Sequence, residues 1–245
     1  MKQKTHFGFS WISPQEKSAK VRQVFSSVAD NYDLMNDLMS LGIHRLWKKT
    51  LTTLIQTRPG DKIADFASGS GDIALLIAKT FPHYGELIVS DSNPAMLRLA
   101  KRRFLNAGII DRVRFIQENT EEPNLADKTI NIACLSFGLR NMTNKAKALK
   151  SIYNKLMPGG QLLILEFSHP THWSFLYNTY SFTVIPTLGK LIAKDESSYR
   201  YLVESIRMHP PQDSLKQMME EVGFINCHYH NLSMGIVAVH KGAKP

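Results

Sequence analysis

The chain has 245 residues, 43% hydrophobic and 21% charged, which is material for one domain with decorations or two small ones. The formal net charge of +9 leaves nucleic acid, an anionic membrane surface, acidic substrates or a plainly solvated basic surface open. Two cysteines, Cys134 and Cys227, both in apolar runs, argue against a disulfide scaffold. No close Cys or His pair has zinc-site spacing. No apolar run approaches the ~20 residues that span a bilayer, and no signal-type apolar core follows the N-terminus. The expected location is the cytoplasm, with peripheral membrane contact left open.

Residues 1–20 are polar, carry Pro14 and read as a mobile arm in which Phe7, Phe9 and Trp11 can dock on an apolar surface. Residues 21–245 read as a single domain. Val21, Val24, Phe25 and Val28 keep the spacing of a helix with one buried face. A second helix is expected from about Ile43 to Ile55, before a turn at Pro59-Gly60. The helical stretch 21–60 is too short for a separate domain and reads as a cap over the active edge of a sheet.

From Asp61 onward strands and helices alternate. Ile63-Ala64-Asp65-Phe66 suits a buried strand, and Gly69 and Gly71 allow a sharp turn into a helix that begins at Asp72. Further strands are expected at Leu87–Val89, Val113–Ile116, Ile130–Phe137 and Leu162–Leu165, with helices opening at Pro94 and around Ala146–Leu156. The second helix stops at Pro158-Gly159-Gly160. An aromatic-rich insertion or lid spans 168–211. A helix then carries Leu215, Met218, Met219 and Val222 and ends at Gly223. Strands near Ile225–His230 and Ile236–His240 are close enough to pair as an antiparallel hairpin. This order predicts an α/β fold with a mostly parallel seven-stranded sheet of Rossmann type.

Gly69, Gly71 and Ala74 formally match a dinucleotide fingerprint, and Asp91 lies about twenty residues on. The charges favour another ligand. A pyrophosphate seeks a helix N-terminus without a competing anion, whereas Asp65 and Asp72 bracket this one. S-adenosylmethionine, with a sulfonium and an ammonium group, suits two carboxylates. Asp65 or the carbonyls of the turn would take the ammonium. Asp91 would accept the ribose hydroxyls, and Asn119 and Thr120 would flank the adenine. Ser136 ends the fourth strand of this unit and faces the same crevice. Asp65 and Asp72 also read as simple turn and helix caps, which is compatible with ligand binding.

Tyr32-Asp33-Leu34-Met35-Asn36-Asp37-Leu38-Met39-Ser40, followed by His44 and Trp47, resembles the signature of the ubiquinone/menaquinone C-methyltransferases. Ser136–Asn141, Pro158-Gly159-Gly160 with Glu166-Phe167-Ser168, and Ser198–Arg207 are similar to further segments of that family. The resemblance runs from about Thr5 to the end of the chain. It implies a class I S-adenosylmethionine-dependent methyltransferase that alkylates a ring carbon of a polyprenylated quinol: demethylmenaquinol, the 2-polyprenyl-6-methoxy-1,4-benzoquinol precursor, or both. By that likeness the cofactor contacts fall on Ser70, Asp91, Asn119, Thr120 and Ser136. Ser68 departs from the pattern, standing where the family usually has glycine. Thr120 replaces a common alanine, and Met157 the usual lysine.

Ring methylation needs a neighbouring hydroxyl to lose its proton so that electron density reaches the carbon. Arg140, Asn141, Tyr32 and Asp33 are the expected catalytic residues; His44, Tyr199 and His209 are weaker candidates. Arg140 would steady a phenolate or orient a water, and Asn141 would hold a quinol oxygen. An ion pair anchoring a lid is the alternative for Arg140, a helix-cap pair for Tyr32 and Asp33, and a packed or capping ring for His44. The apolar run Phe182–Ile192 with Lys190 and Lys194 suits a lid at an anionic bilayer, a dimer interface or an internal cover. Partners are then the polyprenyl quinol and either a second copy or a quinone-synthesis assembly, with no nucleic acid. Two other functions compete: an RNA methyltransferase, for which no base-reading module is visible, and a non-catalytic cofactor- or lipid-binding partner.

Overall fold

The computed structural model describes residues 4–27, 34, 36–37, 40–170 and 196–245. Tyr32, Asp33 and the run Phe182–Lys194 lie outside the described residues. The described elements, in order, are β1 (Thr5–Phe7), β2 (Ser10–Ile12), α1 (Pro14–Ser27), α2 (His44–Thr53), β3 (Lys62–Phe66), α3 (Asp72–Thr80) and β4 (Glu86–Asp91). They continue with α4 (Pro94–Asn106), β5 (Val113–Gln117), β6 (Ile130–Ser136), a short 3-10 turn (Leu139–Asn141), α5 (Lys145–Lys155) and β7 (Leu156–Phe167). The chain closes with α6 (Glu196–Arg207), α7 (Gln212–Val222), β8 (Ile225–Leu232) and β9 (Val237–Ala243).

Seven strands form one sheet in the order β5-β4-β3-β6-β7-β9-β8. The first five are parallel, β9 runs antiparallel to β7, and β8 antiparallel to β9. Alternate strand residues feed two cores. Ile63, Leu87 and Val89 pack with α2, α3 and α4, whereas Ala64, Phe66 and Ile88 pack with α5 and α7. The central strands are therefore apolar on both faces, which is what a covered parallel sheet requires. Strand order reverses between β3 and β6, so a crevice opens beyond their carboxyl ends.

Local chemistry sets several boundaries. Asn93 caps α4 by accepting from the N–H groups of Ala95 and Met96, and Pro94 occupies the first helical position. Gly223, at φ +116°, ends α7. Pro158-Gly159-Gly160, expected as a turn, is a distortion inside a longer β7, stitched to the chain end by Gly159 N–H to Lys244 O. Cys134 and Cys227 are buried and unpaired.

The expected arm needs correction. Residues 5–12 form a hairpin, and α1 starts at Pro14, not near Val21. The Thr5 hydroxyl donates to Thr143 O at 3.0 Å, and Phe7 stacks on Tyr201 with ring centroids 4.1 Å apart. Phe9 and Trp11 stay exposed. Lys17 is buried and donates to Met142 O at 2.7 Å, while burial foremost lowers its pKa to about 7. These long-range contacts dock the segment beside the crevice; of the three aromatics expected to dock, Phe7 does so, while the Thr5 and Lys17 anchors had no signal in the sequence.

Candidate active site

Three cavities converge on Phe137, which follows β6. The largest, about 220 Å³, lies over the carboxyl ends of β3, β4 and β6. Gly69, Asp91, Asn119, Thr120, Ser136 and Asn141 all line it. A smaller one toward α3 is lined by Asp65, Ser68, Ser70 and Ser136. A third, about 20 Å³, lies between α2 and the 3-10 turn and is lined by His44, Trp47, Lys48, Phe137, Arg140 and Phe167.

The crevice lips approach closely. Ala67, after β3, has φ +49°, and Phe137, after β6, has φ +54°. Both lie in the left-handed region that non-glycine residues adopt at some cost, a feature that concentrates at functional sites. A Cβ on Gly138 would sit 2.7 Å from the Ala67 methyl, so only glycine fits at 138. No local pattern marks this contact, because it joins residues 71 positions apart.

Asp91, at the end of β4, braces the glycine turn. Its Oδ2 accepts from Gly69 N–H at 2.8 Å and its Oδ1 from Asn93 N–H at 2.7 Å. Burial raises its pKa, although the N–H groups of Asn93 and Gly69 oppose the shift. A carboxylate has about four lone-pair sites, so acceptor capacity remains for ligand hydroxyls. Asn93 also donates to Arg22 O at 3.2 Å and the Ser26 hydroxyl at 3.0 Å, drawing α1 across the crevice. Ser18, Val21, Arg22 and Phe25 of α1 thus line the large cavity, a wall the helical pattern gave no means of aiming.

The two aspartates flanking the turn behave differently. Asp72 meets Lys48 at 2.6 Å and also Arg103. Burial pushes its pKa up, but the two cations outweigh burial and hold it below the usual range. Asp65 is fully enclosed. One oxygen accepts from the Ser68 hydroxyl, and Oδ1 is buried without a hydrogen-bond partner. Burial raises its pKa to about 7 against the pull of Ser68 and the Ala74 N–H. Of the two carboxylates that bracket the turn, Asp72 is thus already neutralised, and Asp65 keeps an oxygen without a partner.

The expected turn residues also separate. Gly69 lines the large cavity, and the Ser70 hydroxyl accepts from Arg103 at 3.0 Å. Gly71 lines none of the three cavities; a Cβ there would meet the Ala100 methyl at 2.9 Å, so it lets α3 and α4 approach. Ser136 lines both neighbouring cavities with a buried hydroxyl that has no partner.

On the other flank, Arg140 forms a buried ion pair with Glu166 at 2.9 Å, and its own N–H donates to Glu166 Oε2 at 3.2 Å. The ion-pair alternative is thus its observed contact, and the side chain still borders the third cavity. Asn141 Oδ1 accepts from the Tyr201 hydroxyl at 3.0 Å. Trp47, Phe137 and Phe167 meet in tilted and edge-to-face pairs around the third cavity, with centroids 4.9–6.3 Å apart. Tyr199 and His209 are buried but line none of the three cavities.

The sheet order, the glycine turn after β3 and the acid ending β4 define a class I S-adenosylmethionine-dependent methyltransferase. The fold is similar to a Thermotoga maritima methyltransferase described as a possible histamine N-methyltransferase, with TM-score 0.65, 16% identity and coverage of 91% and 99% of the two chains. It is also similar to Haemonchus contortus phosphoethanolamine N-methyltransferase 2 bound to S-adenosyl-L-methionine, with TM-score 0.59, 14% identity and coverage of 82% and 52%. The chain belongs to the ubiE/COQ5 methyltransferase family, whose profile matches residues 14–244. It is 49% identical to the ubiquinone/menaquinone biosynthesis C-methyltransferase UbiE of Legionella pneumophila (strain Corby), covering 98% of this chain and 96% of the relative. It is 50% identical to the UbiE protein of Coxiella burnetii (strain RSA 331 / Henzerling II), covering 98% and 97%. The protein is an enzyme with S-adenosylmethionine as its methyl donor.

Proposed function

We propose that this enzyme transfers a methyl group to a ring carbon of a polyprenylated quinol; its UbiE relatives are named as C-methyltransferases of ubiquinone/menaquinone biosynthesis. The observation that carries the site assignment is the meeting at Phe137 of an acid-lined cavity and a base-lined aromatic one.

The residues present fit the donor. The buried Oδ1 of Asp65 and the buried Ser136 hydroxyl each lack a partner. Asp65 would take the ammonium, Asp91 the ribose hydroxyls, and Asn119 and Thr120 the base. Ser136 and the Gly69 turn would complete the wall, with Ser70 fixed behind it by Arg103. When bound, the donor supplies an electrophilic methyl carried on a sulfonium.

The chain's own residues do the rest. Trp47, Phe167 and Phe137 give the small cavity an apolar lining for a ring oxygen, and the ring itself would lie along Phe137, where the cavities meet. Lys48 and Arg103 share the single carboxylate of Asp72, which leaves net positive charge near the place where a ring oxygen becomes an anion, and Arg140, neutralised by Glu166, can add an N–H donor there. Asn141, oriented by Tyr201, offers its amide to a second ring oxygen. Holding carbon and methyl in line is itself worth roughly 7–11 kcal/mol. Tyr32 and Asp33 stay as proposed contributors from the family signature.

No helix among the described residues is long and apolar enough to cross a membrane. A cytoplasmic enzyme with peripheral bilayer contact suits an acceptor with an apolar tail, and the +9 charge supports that contact. Incubation with methyl-labelled S-adenosylmethionine and a short-chain demethylmenaquinol should put label on the ring carbon. Label on oxygen or on added RNA would contradict the reading.

A further inference from the structure

The third cavity contains a side chain with no part in the scheme so far. His44 opens α2, is 6% exposed and lines this cavity beside Trp47, Lys48 and Arg140. One ring nitrogen, Nε2, lies 2.9 Å from Asp37 Oδ1. Asp37 is held in turn by Arg45, at 2.6 Å to Oδ1 and 2.8 Å to Oδ2. The Arg45 hydrogen bond foremost lowers the Asp37 pKa, so Asp37 is a carboxylate that can only accept. Nε2 must then carry the proton, which leaves a lone pair on Nδ1. That Nδ1 is buried without a hydrogen-bond partner. The His44 backbone is pinned as well, its N–H donating to the Ser40 hydroxyl at 3.2 Å.

We propose that His44 is the general base that removes the proton from the acceptor's ring hydroxyl, with Asp37 as its positioning residue. This rests on the ring C-methylation reading above. The cavity, about 20 Å³, has room for a hydroxyl and not for a ring, so the hydroxyl enters it while the ring lies along Phe137. The acceptor O–H bond breaks and an N–H bond forms at Nδ1. The electron pair left on oxygen conjugates into the ring and makes the adjacent carbon nucleophilic. After methylation the ring proton departs to solvent, the Nδ1 proton returns to oxygen, and one proton is released per turnover.

The charged groups around His44 fit this assignment. Burial foremost, then Lys48, holds its pKa below the usual value, while the Asp37 hydrogen bond and charge pull it up and Arg45 opposes. Asp72, paired with Lys48, adds a weaker attraction, and Arg140 faces the same cavity. The imidazole is therefore neutral at pH 7 and can accept a proton. Lys48 and Arg140 would disfavour a lasting imidazolium but favour the phenolate formed beside them.

The test uses His44→Gln, whose amide nitrogen can still donate to Asp37, and Asp37→Asn. For His44→Gln, kcat should fall roughly 10²–10⁴-fold, the yield of general-base catalysis. Donor affinity measured by calorimetry should stay within about twofold. A quinol analogue acidic enough to be ionised at the assay pH should be methylated by wild type and His44→Gln at similar rates. In Asp37→Asn the acid limb of the kcat profile should move to lower pH, because the lost carboxylate raised the His44 pKa. Nitrogen NMR of the labelled enzyme at pH 7 should show His44 neutral and protonated at Nε2. Wild-type kcat in His44→Gln, an equal loss with the pre-ionised acceptor, or a proton resting on Nδ1 would overturn the assignment. Wild type that labels no ring carbon overturns the C-methylation reading and this role with it; a labelled ring with unaffected His44→Gln overturns the role alone.

Discussion

The two flanks of Phe137 are built with opposite charge logic. Toward β3 and β4 lie Asp65 and Asp91, both enclosed, both with pKa values raised by burial, and Asp65 with an oxygen left unpaired. Toward α2 lie Lys48, Arg140 and His44 around an aromatic pocket. Lys48 borders the Asp65 cavity as well as the aromatic one, but among the described residues neither Asp65 nor Asp91 has an ion-pair partner, and the second flank can stabilise negative charge. A cationic methyl donor and an anionic ring acceptor match that arrangement in the one orientation that brings donor and acceptor together. A flank lined with cations and no acids would have suited a phosphate ligand instead.

The largest expected effect comes from breaking the basic flank. Arg140→Ala leaves Glu166 buried without its partner, a loss of about 3–5 kcal/mol. Thermal denaturation should show the midpoint falling by roughly 10 °C. Turnover of the folded variant should drop while donor affinity stays near wild type. An unchanged midpoint would show that the ion pair does not hold the 3-10 turn.

The acid flank breaks next at Asp91. Asp91→Ala removes charge-assisted hydrogen bonds worth about 1.5–3 kcal/mol each and frees the Gly69 N–H. Calorimetry should record donor affinity lower on the order of 10²-fold, and a turnover defect that saturating donor repairs in large part.

A smaller effect separates Asp65 from Asp72. Below its pKa of about 7 Asp65 is protonated, and a bound cation requires the carboxylate. Wild-type donor affinity should therefore fall as pH drops through 7, by up to about tenfold per unit. Asp65→Asn should bind weakly with a nearly flat dependence over the same range. The smallest change sharpens the point. Ser68→Gly, which restores the glycine usual in the family, removes a donor that holds the Asp65 pKa down. The midpoint of that pH dependence should move upward by a fraction of a unit, with little loss of stability.

Much of this was readable in the chain because it is local. The strand-turn-helix from Ile63 to Ile73, the acid at Asp91 and the closing hairpin follow from short-range patterns. The likeness at Tyr32–Ser40 and Ser136–Asn141 supplied the acceptor. What was not readable depends on which residues meet across the fold. Asp72 and Arg103 are separated by a strand and its connections, and no spacing rule links them. Glu166 neutralises Arg140 because β6 and β7 are sheet neighbours, a pairing that topology decides. Asp37 and His44 sit seven residues apart across a turn at Gly42, so helical periodicity alone does not bring them together. Gly71 looked like a ligand glycine, yet its reason is the approach of two helices.

In the proposed complex Asp65 receives the donor's positive charge. Calorimetric titration of the enzyme with S-adenosylmethionine at pH 6.5, in buffers of different ionisation enthalpy, measures protons released on binding. Wild type should release a substantial fraction of a proton, and Asp65→Asn should release almost none. Equal release from both proteins, or none from wild type, would contradict that role of Asp65.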